Sequence, residues 1–257
     1  EYIVGAFILK NPEEKITFVT KNGLVKQSIL KDFVVSRYSK AMLAFKLKDN
    51  DEVIAVNSSK SRTILVSEAG YYVNIDTEEI PVVGARASGV KGMNLKDDIL
   101  VAGLSLDSNE YLSIFTNNKT AKRVRLSELE THNRAKKGST LIKRVKSFDY
   151  KIIKVLLTDG KDELYLKSDN EITKIKNTDI SILDLKSTGG AVSKYKIDDV
   201  FANTIFDSSL KNNKNGKEEV VSEENDDKVV AETRELEIEE KKEEQVSLND
   251  FFDEFKI

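Results

Sequence analysis

The 257 residues contain no Cys, no Trp and a single His, His132. This excludes disulfides, thiolate chemistry and thiolate metal sites, and argues against a histidine-based metal site or a catalytic triad. No apolar run approaches the roughly 18 residues that cross a bilayer and no signal peptide opens the sequence, so no membrane partner is expected. The net charge of −3 conceals a division: residues 1–210 carry 33 Lys+Arg against 28 Asp+Glu (net +5), residues 211–257 carry 8 against 16 (net −8).

The sequence starts at Glu1 without an initiator Met and reads as a piece of a longer polypeptide. Its opening, Tyr2 to Ile8, has the character of the last strand of a preceding unit, so residues 1–15 are assigned to the end of a truncated unit with an exposed strand edge at residues 1–10. From Ile16 onward short β-branched runs alternate with turn signals. Ile16-Thr17-Phe18-Val19-Thr20 stops at Lys21-Asn22-Gly23, and Thr63 to Ser67 stops at Glu68-Ala69-Gly70. Asn-Gly between two such runs predicts a type I′ hairpin, whose two central residues need positive φ. No segment of the body sustains a helical period over three turns.

Self-similarity organises these strands. Phe18–Phe33, Leu65–Ile80, Ile114–Leu129 and Tyr165–Ile180 align over sixteen residues without a gap. Their turn positions, Gly23, Gly70, Lys119 and Asn170, are 47, 49 and 51 residues apart, a blade-sized period. After each hairpin comes a basic, Ser/Gly/Ala-rich loop and then further strand. These are Ser36–Lys40 before Met42–Leu47, Arg86–Gly92 before Met93–Leu95 with another strand from Ile99, Asn133–Gly138 before Leu141–Val145, and Lys186–Gly190 before Ala191–Tyr195. The expected units are blades at 16–61, 62–109, 110–161 and 162–206, each needing a stacked neighbour to bury its faces. The prediction is thus all-β, with about four propeller-like blades. Residues 207–257 form an acidic tail too poor in apolar residues to order itself.

Loop cations recurring at one blade position should fall along a single rim, which suits the regular phosphates of a duplex. The candidate DNA-binding residues are Arg37, Lys40, Arg86, Lys91, Arg134, Lys136, Lys137, Lys186 and Lys194. Lys21, Lys26, Lys122, Arg123 and Arg125 are expected only to guard strand edges, Tyr38, Tyr71 and Tyr72 to pack, and His132 to be a solvated loop residue. No catalytic residue is assigned. Asp97-Asp98 and Asp198-Asp199 sit at expected turns, and Gly89-x-x-Gly92 and Gly189-Gly190 lack the strand-to-helix context of a phosphate loop. Cofactors and metals are expected to be absent. In the tail, Gln245-x-x-Leu248-x-x-Phe251-Phe252 has the spacing of short peptides that dock on DNA sliding clamps.

Three stretches carry a family resemblance: Phe18 to Lys26, Ser36 to Leu47 and Ile80 to Met93 (IPVVGARASGVKGM). They resemble the C-terminal domain of the DNA-cleaving subunit of bacterial type IIA topoisomerases, topoisomerase IV more than gyrase, over residues 2–206. The gyrase heptapeptide Gln-Arg-Arg-Gly-Gly-Lys-Gly does not occur in the sequence. The resemblance implies a β-pinwheel, in which blades exchange strands and a basic rim bends duplex DNA. It also implies a cytoplasmic, nucleoid-associated bacterial protein. Its partners would be double-stranded DNA, the remainder of its own polypeptide and the ATPase subunit of an ATP-dependent heterotetramer that relaxes or decatenates DNA. The alternative from another class is a propeller-like protein-interaction scaffold without DNA binding; WD-repeat signatures are absent, and a propeller hydrolase has no motif in its favour.

Overall fold

The computed structural model describes residues 3–6, 11–35, 41–48, 50–143, 145–169 and 171–202. Of the expected sites, Arg37, Lys40 and the tail peptide Gln245, Leu248, Phe251 and Phe252 lie outside these residues, as does most of the expected edge at 1–10. Residues 3–6 form no strand.

The described chain is all-β, with 3₁₀ turns as its only helical elements. Fifteen strands fall into four antiparallel sheets. β1 (Lys15–Thr20), β2 (Leu24–Ile29) and β3 (Val53–Ser58) build the first, β4 (Arg62–Ser67), β5 (Tyr71–Asp76) and β7 (Leu100–Leu106) the second. β8 (Tyr111–Thr116), β9 (Thr120–Arg125) and β11 (Ile152–Thr158) build the third, and β12 (Glu163–Ser168), β13 (Glu171–Lys176) and β15 (Asp199–Ala202) the fourth. The outermost strand of each of the first three sheets is lent by the next repeat. β6 (Val90–Lys91) pairs with β2, β10 (Ser139–Thr140) with β5, and β14 (Gly190–Ala191) with β9. This exchange makes the domain a β-pinwheel. In the fourth sheet β13 is an edge strand among the described residues, with Ile172 64% exposed.

Strand burial follows from stacking. The central strands are buried on both faces, as in Ile64, Leu65 and Val66 of β4. Three of the four apolar clusters lie between consecutive sheets: Val19 and Val25 meet Leu65, Val73, Ile75 and Met93, while Ile64, Val66 and Tyr72 meet Leu112, Ile114 and Val155. Phe115 and Ala121 meet Leu164, Leu166 and Val200. Only the first sheet adds a cluster of its own, Ile16 and Phe18 against Leu30 and Phe45; the shared clusters make each repeat depend on its neighbours.

Two local expectations are corrected. The first hairpin turn is not type I′. Gly23 N–H donates to the Thr20 carbonyl (3.0 Å) across Lys21 and Asn22, and Gly23 alone takes positive φ (+85°). This is a type I turn followed by a left-handed residue, a geometry that also matches strand twist; Gly70 (+89°) and Lys119 (+59°) repeat it. The strand expected from Ile99 is β7, but those expected at Met93–Leu95, Leu141–Val145 and Ala191–Tyr195 give way to the two-residue strands β6, β10 and β14 at the ends of the basic loops, and 41–48 carries none. The chain there turns across the sheet end, Gly92 N–H donating to the Gly23 carbonyl (2.8 Å) and Leu141 N–H to that of Gly70 (2.8 Å), while Met93, Leu141 and Ile142 plug the gap between sheets.

The turn carboxylates have a repeated task. Asp51 accepts from Asn22 N–H (2.9 Å), Asp98 from Ala69 N–H (3.1 Å) and Asp198 from Asp169 N–H. Each staples the hairpin turn of its own sheet.

Candidate nucleic-acid interface

Each of the three basic loops among the described residues is an arch sprung from an outer strand. In the second repeat the chain meets β2 beside Gln27, where Val83 N–H donates to the Gln27 carbonyl (2.9 Å). It leaves the sheet over 84–88 and returns as β6, with Leu24 opposite Lys91. The fourth repeat does the same on β9, between Leu183 N–H donating to the Arg123 carbonyl (3.0 Å) and the return at β14. The third repeat arches over 133–138 from β5. The landing residue is glycine each time, Gly89, Gly138 and Gly189, at φ +73°, +83° and +93°. A Cβ on Gly138 would run into the carbonyl of Tyr72, and one on Gly189 would come within 2.8 Å of the Ala121 oxygen.

Successive arches are joined sideways. Lys46 N–H donates to the Ala87 carbonyl (3.3 Å), and Asn94 N–H to that of Lys136 (2.8 Å). Ala135 N–H donates to the Gly92 carbonyl (2.7 Å), and the Arg134 guanidinium donates through Nη1 to the Lys91 carbonyl (2.8 Å). Lys91, Arg134 and Lys136 thus share one knitted edge with Arg86. Lys186 and Lys194 stand on the edge of the third sheet; the connector 143–150, with Phe148 stacked edge-on against Tyr150 (4.8 Å), precedes them. The edge is continuous through the second and third repeats, and no bond joins the arch of the fourth to it among the described residues.

Arg86, Lys91, Lys136, Lys186 and Lys194 are exposed, and none forms an ion pair with a carboxylate among the described residues. Cations elsewhere are often neutralised, as in Lys151–Glu68 (2.9 Å) and Lys154–Asp199 (2.9 Å). Lys137 differs: its ammonium sits 4.2 Å from the centroid of the Tyr71 ring, in a cleft of about 390 Å³ that Asp97, Asp98 and Asp149 also line. Arg134 is half-buried, and its backbone N–H donates to Glu79 (2.9 Å). It works first as a brace and only secondarily as an exposed charge.

Three of the expected edge guards depart from expectation. Lys26 and Lys122 do not guard edges; both are buried. Lys26 Nζ donates to the carbonyls of Ala44 (2.7 Å), Gly84 (3.2 Å) and Ala85 (2.7 Å), with the rings of Phe45 and Phe18 at 5.0 and 5.1 Å. Lys122 Nζ donates to those of Asp184, Leu185 and Ser187, each at 2.9 Å. Desolvation pulls both pKa values from 10.5 to about 8, against the opposing pull of Asp32 on Lys26 and of Asp184 and Glu128 on Lys122. Arg123 likewise turns inward, its Nε donating to the Ile180 carbonyl (2.7 Å).

His132 is not a solvated loop residue. Its Nδ1 accepts from Asn74 N–H (3.3 Å), Nε2 meets the Ser139 hydroxyl (2.8 Å), and the ring packs edge-on against Tyr72 (5.3 Å). Burial lowers its pKa, which favours the neutral form that can accept. The second sheet has Val73 where the first and third have lysine, and the imidazole with the Tyr72 hydroxyl, which accepts from Glu130 N–H (3.0 Å), holds the third-repeat arch instead.

The architecture agrees with known proteins. The family model "DNA gyrase C-terminal domain, beta-propeller" matches residues 14–60, 63–106 and 110–159. The A subunit of DNA topoisomerase 4 from Bacillus subtilis (strain 168) is 39% identical over 158 residues, 60% of this chain and 20% of the relative. The protein of the same name from Staphylococcus aureus (strain MSSA476) is 30% identical over 179 residues, 66% of this chain and 22% of the relative. The chain therefore spans about a fifth of the length of these curated relatives. Among solved structures, the C-terminal domain of DNA topoisomerase IV superposes with a TM-score of 0.73 at 31% identity, covering 77% of this chain and 65% of that one. The DNA gyrase A C-terminal domain follows at 0.64 and 21%, covering 74% and 66%, a likeness of fold. With three of its repeats matched by the family model and its fold reproduced in solved relatives, this chain belongs to the family of DNA gyrase C-terminal domains, the C-terminal module of type II topoisomerase A subunits.

Proposed function

We propose that the domain binds duplex DNA along its arched edge and bends it, without reading sequence. The observation that carries this reading is the edge itself: Arg86, Lys91, Arg134 and Lys136 stand on arches hydrogen-bonded into one continuous strip, and none of their side chains forms an ion pair with a carboxylate among the described residues. A strip of uncompensated cations displaces counterions from a polyanion, and phosphate contacts carry little sequence information. Bending a 20–30 bp stretch costs on the order of 1–6 kcal/mol, which several phosphate contacts together offset. Lys186 and Lys194, one sheet further on, extend the path of the duplex.

In this reading the intact protein is the DNA-cleaving subunit of a bacterial, cytoplasmic, ATP-dependent type II topoisomerase of the topoisomerase IV kind. The domain hands a DNA segment to the strand-passing core, and a separate ATPase polypeptide completes the enzyme. The likeness to the topoisomerase 4 proteins supports this assignment.

A gel-shift titration with linear duplex at 50 and 200 mM salt tests the binding. Engaging about six phosphates gives a log–log salt slope of roughly −5. Weak binding that does not change with salt would remove the reading and leave a protein-interaction scaffold.

A further inference from the structure

Two of the three lent arches are built around a buried ammonium. Lys26 and Lys122 occupy equivalent places, two residues beyond Leu24 and Thr120 at the starts of β2 and β9. Each side chain points outward through its sheet into the hollow of the arch that the next repeat lays over it. Gly84-Ala85 and Asp184-Leu185 also correspond, four and five residues beyond Ile80 and Ile180. In both arches these carbonyls turn inward to the ammonium, and a short internal bond closes the curve: Ala87 N–H to the Gly84 carbonyl (3.1 Å), Ser187 N–H to that of Asp184 (3.1 Å). Immediately after the clamped carbonyls stand Arg86 and Lys186, both exposed.

We propose that Lys26 and Lys122 are positioning residues for DNA binding, whose ammonium groups draw the arch carbonyls inward and so hold Arg86 and Lys186, with a positive charge beneath them, toward the duplex. This rests on the reading of the arched edge as a DNA-binding surface. A carbonyl facing solvent would repel phosphate; two arch carbonyls satisfied by Lys26 and three by Lys122 leave an outer surface of cationic side chains. The arch 133–138 is the internal control, because Val73 replaces the lysine and His132, Tyr72 and Arg134 hold that loop from the side.

Charge and support separate with pH. Protonated, the ammonium has a donor for each of three carbonyls; neutral, the amine has two hydrogens and no charge. The groups that bear on Lys26 are Asp32 and the rings of Phe18 and Phe45, and those on Lys122 are Asp184 and Glu128. Because the folded-state pKa lies below that of a solvated lysine, the folded state releases the proton first. Fold stability from these groups therefore rises between about pH 8 and 10, while the positive charge under the arches is lost over the same range. A mere structural prop would move stability and DNA affinity together.

The experiment uses the full chain, its Lys26→Met and Lys122→Met variants, alone and combined, and Lys122→Arg. Gel-shift affinity for linear duplex is measured from pH 7 to 9.5, thermal melting over the same range, and hydrogen exchange at the Ala87 and Ser187 amides in the absence of DNA. The expected results are an affinity loss of about fivefold per Met substitution at pH 7, roughly one cationic contact. Exchange at Ala87 or Ser187 should be about tenfold faster in the corresponding variant, and exchange across 133–138 unchanged. In the parent chain affinity should fall above pH 8 while the melting temperature, relative to the double variant, does not. If DNA does not bind at all, the functional reading fails and the exchange data alone decide the clamp. Unchanged exchange at both amides in folded variants overturns it. Should the Met variants not fold, the pH series of the parent chain decides, and affinity flat through pH 8–9.5 overturns the proposal.

Discussion

Arg134 of the third repeat donates through Nη1 to the backbone carbonyl of Lys91 in the second, 2.8 Å away. One cation thereby holds the peptide that presents another. Cations on this edge therefore fall into two kinds, those that carry charge outward and those that carry it inward to shape the backbone.

Arg86 and Arg134 should differ under the same substitution. Arg86→Gln removes an exposed charge, so it should reduce the salt slope by about 0.9 and leave the melting temperature within error. Arg134→Gln should weaken DNA binding and also cost about 1 kcal/mol of stability through the lost bond to Lys91. Parallel gel shifts and denaturant titrations measure both, and equal stability of the two variants would contradict the brace.

Gly138 is the strictest of the landing residues, since its φ is +83° and a side chain would meet the Tyr72 carbonyl. Gly138→Ala should destabilise the domain by about 1–3 kcal/mol and loosen the 133–138 arch. Chemical denaturation would show the first effect and faster amide exchange at Leu141 the second.

His132 should make the domain acid-sensitive. The neutral ring accepts from Asn74 N–H beside Tyr72, Glu130, Ser139 and Arg62, and burial holds its pKa below 6.5. With the folded value depressed, the folded state resists protonation. The stability it contributes is present above pH 6.5 and is lost as pH falls through the folded-state value. The difference in melting temperature between the parent chain and His132→Asn should shrink from pH 7.5 to 5, and a constant difference would refute it.

Residues 211–257 carry a net −8 next to a body of net +5. Removing them should tighten DNA binding by several-fold at 50 mM salt and by much less at 200 mM, where screening is stronger. Competition binding at both salts decides it, and equal affinity of the two chains at low salt would rule out competition by the tail.

The repeat makes the fold readable: four hairpins at a spacing of 47 to 51 residues leave few architectures open. The arches are visible in the sequence as basic, glycine-bearing loops, but their landing geometry is not. Gly89, Gly138 and Gly189 look like loop composition, whereas each is required by a left-handed turn against a neighbouring carbonyl. Lys26 and Lys122 mislead because lysine ordinarily faces water. One signal lies in the repeat alignment, where the second copy has Val73 at the same place. A position that is apolar in one copy is an interior position, and a lysine there must bring its charge to partners inside. The role of His132 is not legible in the sequence, because its ring accepts from Asn74, 58 residues earlier in the chain.

The lending of strands makes the unit of inheritance differ from the unit of folding. Excision of residues 162–202 would remove the fourth sheet and also tear β14 from the third, so the cut would damage two layers. Like overlapping shingles, the repeats can be shortened cleanly only along a staggered line, and any graft or circular permutation of this domain should place its junction after a borrowed strand instead of between hairpins.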